Sequence, residues 1–198
     1  MPPVFTMEQR DALKVKLLEI GTELIASSGI KKMSISKVTA KAGIAKGTFY
    51  NFFESKERFV IEIIHYGKEE IYRCINKLVE ENGYLDKQGF QTLLNKFSLS
   101  GKNNVLSIFS KEDMLWLREN CKEEYILDSM KEDVIMKQLF AHVKGLNPHI
   151  NFHVIANVMK NISLLNEHKL EMHQDALDET QQLIVQAMLD YMFREEIR

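Results

Sequence analysis

The sequence MSISKVTAKAGIAKGTFYNFFESKERF, residues 33–59, contains two short stretches of helical pattern that meet at a glycine. In the first stretch Ser34 can cap a helix, and Val38 and Ala42 lie four residues apart on one side of it. Gly43 follows and predicts a left-handed stop. The sequence therefore predicts a short helix that ends in a tight turn.

The second stretch, residues 45–53, separates an aromatic side from a polar side. Phe49 and Phe53 are four residues apart and are predicted to face inward. The opposite side is polar and basic, and it consists of Lys46, Gly47, Tyr50 and Asn51. The second helix of a helix-turn-helix requires one face that packs on the other helices and one face that reaches phosphates and base edges. We therefore expect residues 33–59 to dock on DNA.

Residue chemistry predicts which side chains contact the DNA. Lys46 can reach a guanine edge or a phosphate, Thr48 can donate to either, and Gly47 allows the backbone to approach. Residues at helix starts can hold phosphates with free backbone amides behind them. Pure capping is the alternative for Ser34, and a half-buried packing role is the alternative for Tyr50. The predicted DNA-contacting set is Ser34, Ser36, Lys46, Gly47, Thr48, Tyr50, Asn51 and Lys56.

The flanking sequence is also helical. Thr6 and Gln9 form a capping-box pattern, which predicts a first helix over about residues 8–28. Ser55 is predicted to cap a fourth helix, residues 55–82, that connects the motif to the remaining chain. Later helices are predicted at about 90–99, 105–109, 111–121, 124–144, 152–165 and 177–191. With no alternating strand pattern, the predicted fold is all-α with about nine helices.

Charge is unevenly distributed along the chain. The whole chain has a net charge of −2, but residues 1–60 hold ten Lys or Arg against six Asp or Glu. Residues 61–198 hold 16 against 22. This asymmetry is typical of a basic binding module on an acidic body, although ordinary variation in surface charge is the alternative.

Several other classes of site are not predicted. The two cysteines lie 47 residues apart without a CxxC pair, so neither a zinc site nor a disulfide framework is indicated. His149 and His153 have the spacing of a metal pair, but no ligand motif accompanies them, which favours surface or interface histidines. We predict no metal, no cofactor and no catalytic residues, because no nucleophile–base set appears. Without an export signal or a run of about 18 apolar residues, a cytoplasmic protein is expected.

The motif resembles the DNA-binding signature of the tetracycline-repressor (TetR) family over about residues 8–60. The matching positions are Ser34, Val38, Ala42-Gly43-Ile44, Lys46-Gly47-Thr48-Phe49-Tyr50, Phe53 and Ser55-Lys56-Glu57. The resemblance implies a three-helix DNA-binding domain at residues 8–60 and a helical ligand-binding and dimerisation domain at residues 61–198. It also implies that the Tyr50 hydroxyl contacts a phosphate.

Two positions depart from the family pattern. Phe52 stands where the family often has His or Tyr, so a side-chain bond to phosphate is lost there. Ala45 replaces a frequent Ser, which removes a helix cap worth about 1 kcal/mol. Both changes argue against transferring any particular operator sequence to this chain.

The resemblance also implies a dimer face and a ligand pocket. Helix-turn-helix proteins gain affinity by placing two recognition helices one DNA turn apart, so the apolar last two helices are expected to pair with those of a second copy. The predicted dimer residues are Phe152, Ile155, Met159, Ile184, Met188 and Tyr191, with a monomer core as the alternative. The predicted pocket residues are Tyr66, Phe97, Trp116 and Tyr125, with ordinary core packing as the alternative.

These predictions lead to a functional hypothesis. The chain is expected to be a homodimeric repressor that binds a palindromic operator and is released by a small apolar or amphipathic effector. A regulator without a small ligand, controlled by a protein partner, is the alternative.

Overall fold

The computed structural model describes residues 6–96, 108–121 and 140–193. The chain forms two compact units. The first runs to Glu69 and also contains a segment that begins at Ile108, and the second begins at Glu70 in the middle of a long helix. The inclusion of this later segment in the first unit is not predicted from the sequence.

Eight α-helices make up most of the described residues. They are α1 (Met7–Lys32), α2 (Ile35–Ala42), α3 (Lys46–Tyr50), α4 (Lys56–Asn82), α5 (Lys87–Leu94), α6 (Lys111–Asn120), α7 (Phe152–Glu167) and α8 (Leu177–Met192). Among the residues that the structure describes, the only extended pairing is an isolated parallel bridge between Leu85 and Val143. The all-α prediction is confirmed. None of the described helices is both long and apolar enough to cross a membrane.

In the first unit, α1 begins as the sequence predicts and ends later. Thr6 and Gln9 form the expected capping box. The predicted stop near residue 28 is a break, because Gly29 has φ 77° and ψ 164°, and one more helical turn follows it. At this break the buried Asp113 carboxylate of α6 accepts a hydrogen bond from the Ile30 amide at 2.6 Å.

Asp113 also organises the start of its own helix. Its carboxylate accepts hydrogen bonds from the backbone amide and the hydroxyl of Ser110, at 3.1 and 2.9 Å. The Ser110 hydroxyl in turn accepts from the Asp113 amide. One buried carboxylate therefore completes the capping box of α6 and connects α6 to α1. Both of its oxygens accept hydrogen bonds, which offsets the cost of burying a polar group.

The second unit is built around α5, α7 and α8. Its main core consists of Phe90, Leu94, Phe140, Ile155, Ile162, Val185, Met188, Leu189 and Met192. A smaller cluster joins the end of α4 to α5 through Ile75, Leu85 and Leu93. Apolar residues that recur at helical spacing thus meet in one interior, as the periodicity predicts.

Two of the later predicted helices also differ in their bounds, and parts of two cannot be compared. The segment predicted as a helix to residue 144 has left the helix by His142, because Leu85 bonds to the backbone of His142 and Lys144. Helix α5 begins at Lys87, three residues earlier than predicted. Most of the predicted helix at 105–109 and the greater part of 124–144 lie outside the described residues.

Candidate nucleic-acid interface

The turn between α2 and α3 is fixed by short-range hydrogen bonds. The Ser34 hydroxyl accepts from the Lys37 amide at the start of α2. Gly43 ends the helix with φ 75° and ψ 33°, a conformation that favours glycine because it has no Cβ. The Ile44 amide then donates to the Thr39 carbonyl at 3.0 Å. The predicted cap and stop are both confirmed.

A cluster of three buried phenylalanines packs against the inner side of α3. Phe49, Phe53 and Phe59 are all buried, and their ring centroids lie 4.7 to 5.2 Å apart. The Phe49–Phe59 and Phe53–Phe59 pairs meet edge to face, which is a favoured aromatic geometry. These contacts fix the rotation of α3 about its axis. They therefore decide which residues face solvent.

The recognition helix α3 is shorter than predicted. It ends at Tyr50 rather than Phe53, because the last turn tightens: the Phe52 amide bonds to the Phe49 carbonyl at 2.9 Å. Its start has no side-chain cap, as expected from Ala45.

The outer face of α3 carries the predicted contact residues. Tyr50 is 52% exposed, and Lys46 and Asn51 are also exposed. A Cβ added at Gly47 would meet no atom within 4 Å, so the backbone there is open to close approach. Thr48 is half-buried. The structure thus brings a cation, a phenol, an amide and a bare backbone to one solvent-facing surface beside a rigid core.

Three predicted contact residues lie at helix starts. Ser34 is half-buried and engaged as the cap of α2, whereas Ser36 is exposed. Lys56, the first residue of α4, is half-buried, and its ammonium lies 5.4 Å from the ring centroid of Trp116. Burial lowers the pKa of Lys56, against the raising effects of Glu57 and Asp113. The structure therefore gives Lys56 an intramolecular partner in α6 that the sequence did not reveal.

Two basic residues of α1 were not predicted to touch the motif. The Lys16 ammonium donates to the Ala42 carbonyl at 3.2 Å, at the end of α2. The Arg10 guanidinium donates to the Asn51 carbonyl at 3.4 Å and lies 5.5 Å from the Phe52 ring centroid. Cations at helix C-termini are favourable because the last carbonyls carry partial negative charge. Their separation in sequence, 26 and 41 residues, left no local signal for these contacts.

Comparison with known proteins identifies the motif. Residues 17–63 match the family model for bacterial regulatory proteins of the tetR family. Residues 17–63 therefore form a DNA-binding domain of the TetR type. The match covers α2, α3 and parts of α1 and α4, so it includes the residues of α3 that form the surface described above.

Proteins similar in sequence to this chain are named as regulators. The fatty acid metabolism regulator protein of Bacillus subtilis (strain 168) is 27% identical over 124 residues, which are 59% of this chain and 62% of that protein. The HTH-type transcriptional repressor DhaR of Mycobacterium sp. (strain GP1) is 32% identical over 72 residues, 36% of each chain. Both alignments span less than two thirds of the relative.

Solved structures support the fold across almost the whole chain. A protein solved in work on the control of antibiotic production by bacterial hormones has a TM-score of 0.67 at 16% identity, over 95% of this chain and 99% of that one. A TetR-family transcriptional regulator from Agrobacterium tumefaciens has a TM-score of 0.60 at 15% identity, over 92% and 98%. At such identities the likeness establishes the fold alone.

The predicted pocket residues are only partly described. Phe97 and Tyr125 lie outside the described residues. Tyr66 is half-buried, with its hydroxyl 3.5 Å from a Glu19 carboxylate oxygen, and Trp116 is half-buried beside Lys56. An open groove beside α5 and α8 contains none of the four, and both polar and apolar side chains line it. It is lined by Gln91, Asn95, Glu179, Gln182, Leu183, Val185 and Gln186.

The predicted dimer residues divide into two groups. Ile155 and Met188 are each only 2% exposed within a single chain. They lie in the core of a single chain, as the alternative of a monomer core expects for these two residues. Periodicity alone could not separate them from their neighbours on the same helices. Half-buried residues at the edge of that core make up the second group, namely Phe152, Met159, Ile184 and Tyr191.

Proposed function

We propose that this chain is a transcriptional repressor that binds an inverted-repeat DNA operator as a homodimer. The exposed face of α3 is the main support for this proposal. Lys46, Gly47 and Tyr50 are exposed to solvent, while Phe49 packs in the core on the inner side of the helix. Lys46 supplies a donor for a guanine edge or a phosphate, and the Tyr50 hydroxyl supplies a donor for a phosphate. Relatives named as transcriptional repressors support the direction of regulation.

A dimer is proposed because α3 is only five residues long and can read few base pairs. Two copies related by twofold symmetry would place two such helices in successive major grooves, about 34 to 36 Å apart. Apolar side chains on α7 and α8 support a partner surface, since Leu183 is 65% exposed and Val154 and Leu164 are also exposed. Phe152, Met159, Ile184 and Tyr191 are proposed to extend that surface.

The first test is selection of bound sequences from a library of duplexes with a random central region. We expect enrichment of an inverted repeat whose half-site centres lie about 10 base pairs, or a multiple of one turn, apart. Affinity for the enriched duplex should fall steeply with salt, because counterions are released from the phosphates. Failure to enrich any inverted repeat would contradict the proposed function.

We also propose that a small apolar or amphipathic effector releases the repressor from DNA. The names of relatives support this class, since they include regulators of fatty acid metabolism and fatty acid degradation and a ketosteroid regulator. Tyr66, Phe97, Trp116 and Tyr125 are proposed to contribute to its pocket. An effector can only shift the protein between DNA-binding and released conformers by binding them with different affinities. Helix α4, which continues from the first unit into the second, is the proposed connection.

A ligand panel tests the effector proposal separately from DNA binding. Long-chain fatty acids, steroids and small aromatic acids would be screened by thermal shift, and each stabilising compound would then be titrated into the protein–DNA complex. We expect at least one compound to raise Tm and to weaken DNA binding. The factor by which the compound lowers the affinity for DNA should equal the factor by which DNA lowers the affinity for the compound. A panel without any stabilising compound, together with an equimolar protein that co-purifies, would instead support control by a protein partner.

A further inference from the structure

Arg10 lies beside the end of the recognition helix. It lies in the first turn of α1, yet its guanidinium donates to the Asn51 carbonyl at 3.4 Å and stacks 5.5 Å from the centroid of the Phe52 ring. Both partners immediately follow Tyr50, the exposed phenol at the end of α3. The contact therefore places a cation at the C-terminal end of the recognition helix.

The guanidinium retains capacity for a further ligand. It has five N–H donors in a planar fork, and one bond to a carbonyl leaves most of them available. Arg10 is exposed, and among the described residues no carboxylate lies within ion-pair distance of it. Stacking on an aromatic ring restricts the orientation of the side chain without neutralising its charge. Arg10 is thus a restrained, uncompensated cation.

Lys46 lies at the opposite end of the same helix. It is the first residue of α3 and is also exposed. Positive charge therefore extends past both ends of a five-residue helix, although only one of the two cations belongs to the motif. Planar guanidinium groups suit bidentate binding of phosphate oxygens.

We propose that Arg10 is a DNA-phosphate-binding residue that Phe52 and the Asn51 carbonyl hold beside the recognition helix. The proposal rests on the proposed DNA-binding function and assigns to it a residue outside the helix-turn-helix. Phe52 does not bind DNA itself in this proposal. Its ring positions the Arg10 guanidinium, which binds the phosphate.

The test is the salt dependence of binding to the duplex obtained by selection, measured by fluorescence anisotropy. We expect Arg10→Gln to bind about three- to tenfold more weakly at 0.1 M salt, and the slope of log K against log salt to become shallower by about 0.9 for each protomer. Arg10→Lys should retain the wild-type slope, because it keeps the charge. Lys77→Gln is the matched control, since Lys77 is exposed in the second unit and its removal should change neither quantity.

A double-mutant cycle tests the role of Phe52. Phe52→Leu should weaken binding a few-fold with an unchanged salt slope, and this loss should disappear in an Arg10→Gln background. Thermal unfolding of each variant identifies any loss of fold. If wild-type protein binds DNA and Arg10→Gln keeps the full slope, the Arg10 role is overturned while the proposed function stands. If wild-type protein binds no duplex, both are overturned.

Discussion

Replacing Phe49 by alanine is expected to lower the free energy of unfolding of the first unit by about 3–5 kcal/mol, the usual cost of removing a buried phenylalanine. Phe49 is fully buried, and its ring contacts those of Phe53 and Phe59. Alanine would leave a cavity below α3 and would remove both ring contacts. Since α3 has only five residues, little else holds it in place.

Chemical denaturation, followed by circular dichroism, measures this loss. Phe52→Ala is the matched control, because Phe52 lies three residues away but is only half-buried, and its replacement should cost less than about 1.5 kcal/mol. Equal destabilisation by the two substitutions would show that the buried cluster does not anchor α3.

Features that depend on neighbouring residues could be predicted from the sequence. The capping box at Thr6, the cap at Ser34 and the left-handed stop at Gly43 all involve bonds within a few residues, and all three are present. The inward and outward faces of α3 follow from helical spacing, because Phe49 and Tyr50 point in different directions on any helix. Local chemistry therefore accounted for most of the candidate interface.

Features that depend on distant residues could not be predicted. The Asp113–Ile30 hydrogen bond spans 83 residues. The Lys56 ammonium contacts the ring of Trp116, which lies in α6, 60 residues further along the chain. The sequence places Lys56 at a helix start, but its contact with α6 could not be predicted from that position. Arg10 was overlooked for the same reason, since its contacts lie 41 residues along the chain.

The burial of residues in the second unit could not be predicted from helical spacing. Ile155 and Met188 share helical faces with half-buried neighbours, so spacing alone placed them with the dimer face. In the structure they are surrounded by other core residues of the same chain, while Leu183, Val154 and Leu164 remain exposed. Amphipathic spacing shows that a face is apolar, but it does not show which element covers that face.

Removing the two exposed contact residues of α3 is expected to abolish specific DNA binding. Lys46→Ala with Tyr50→Ala takes away one cation and one hydroxyl per protomer, and a symmetric dimer loses both twice. We expect affinity for the selected duplex to fall by at least about 100-fold, because each direct contact to DNA typically contributes 1–3 kcal/mol. Both side chains are exposed, so the thermal midpoint should stay close to that of the wild type.

This binding measurement tests the central claim, that the outer face of α3 contacts DNA. The matched control is Lys77→Ala with Tyr84→Ala, which removes the same two residue types from the second unit. Anisotropy titrations at one fixed salt concentration would compare wild type, the α3 variant and the control. We expect near-complete loss of binding for the α3 variant and wild-type affinity for the control. Wild-type affinity in the folded α3 variant would contradict the account.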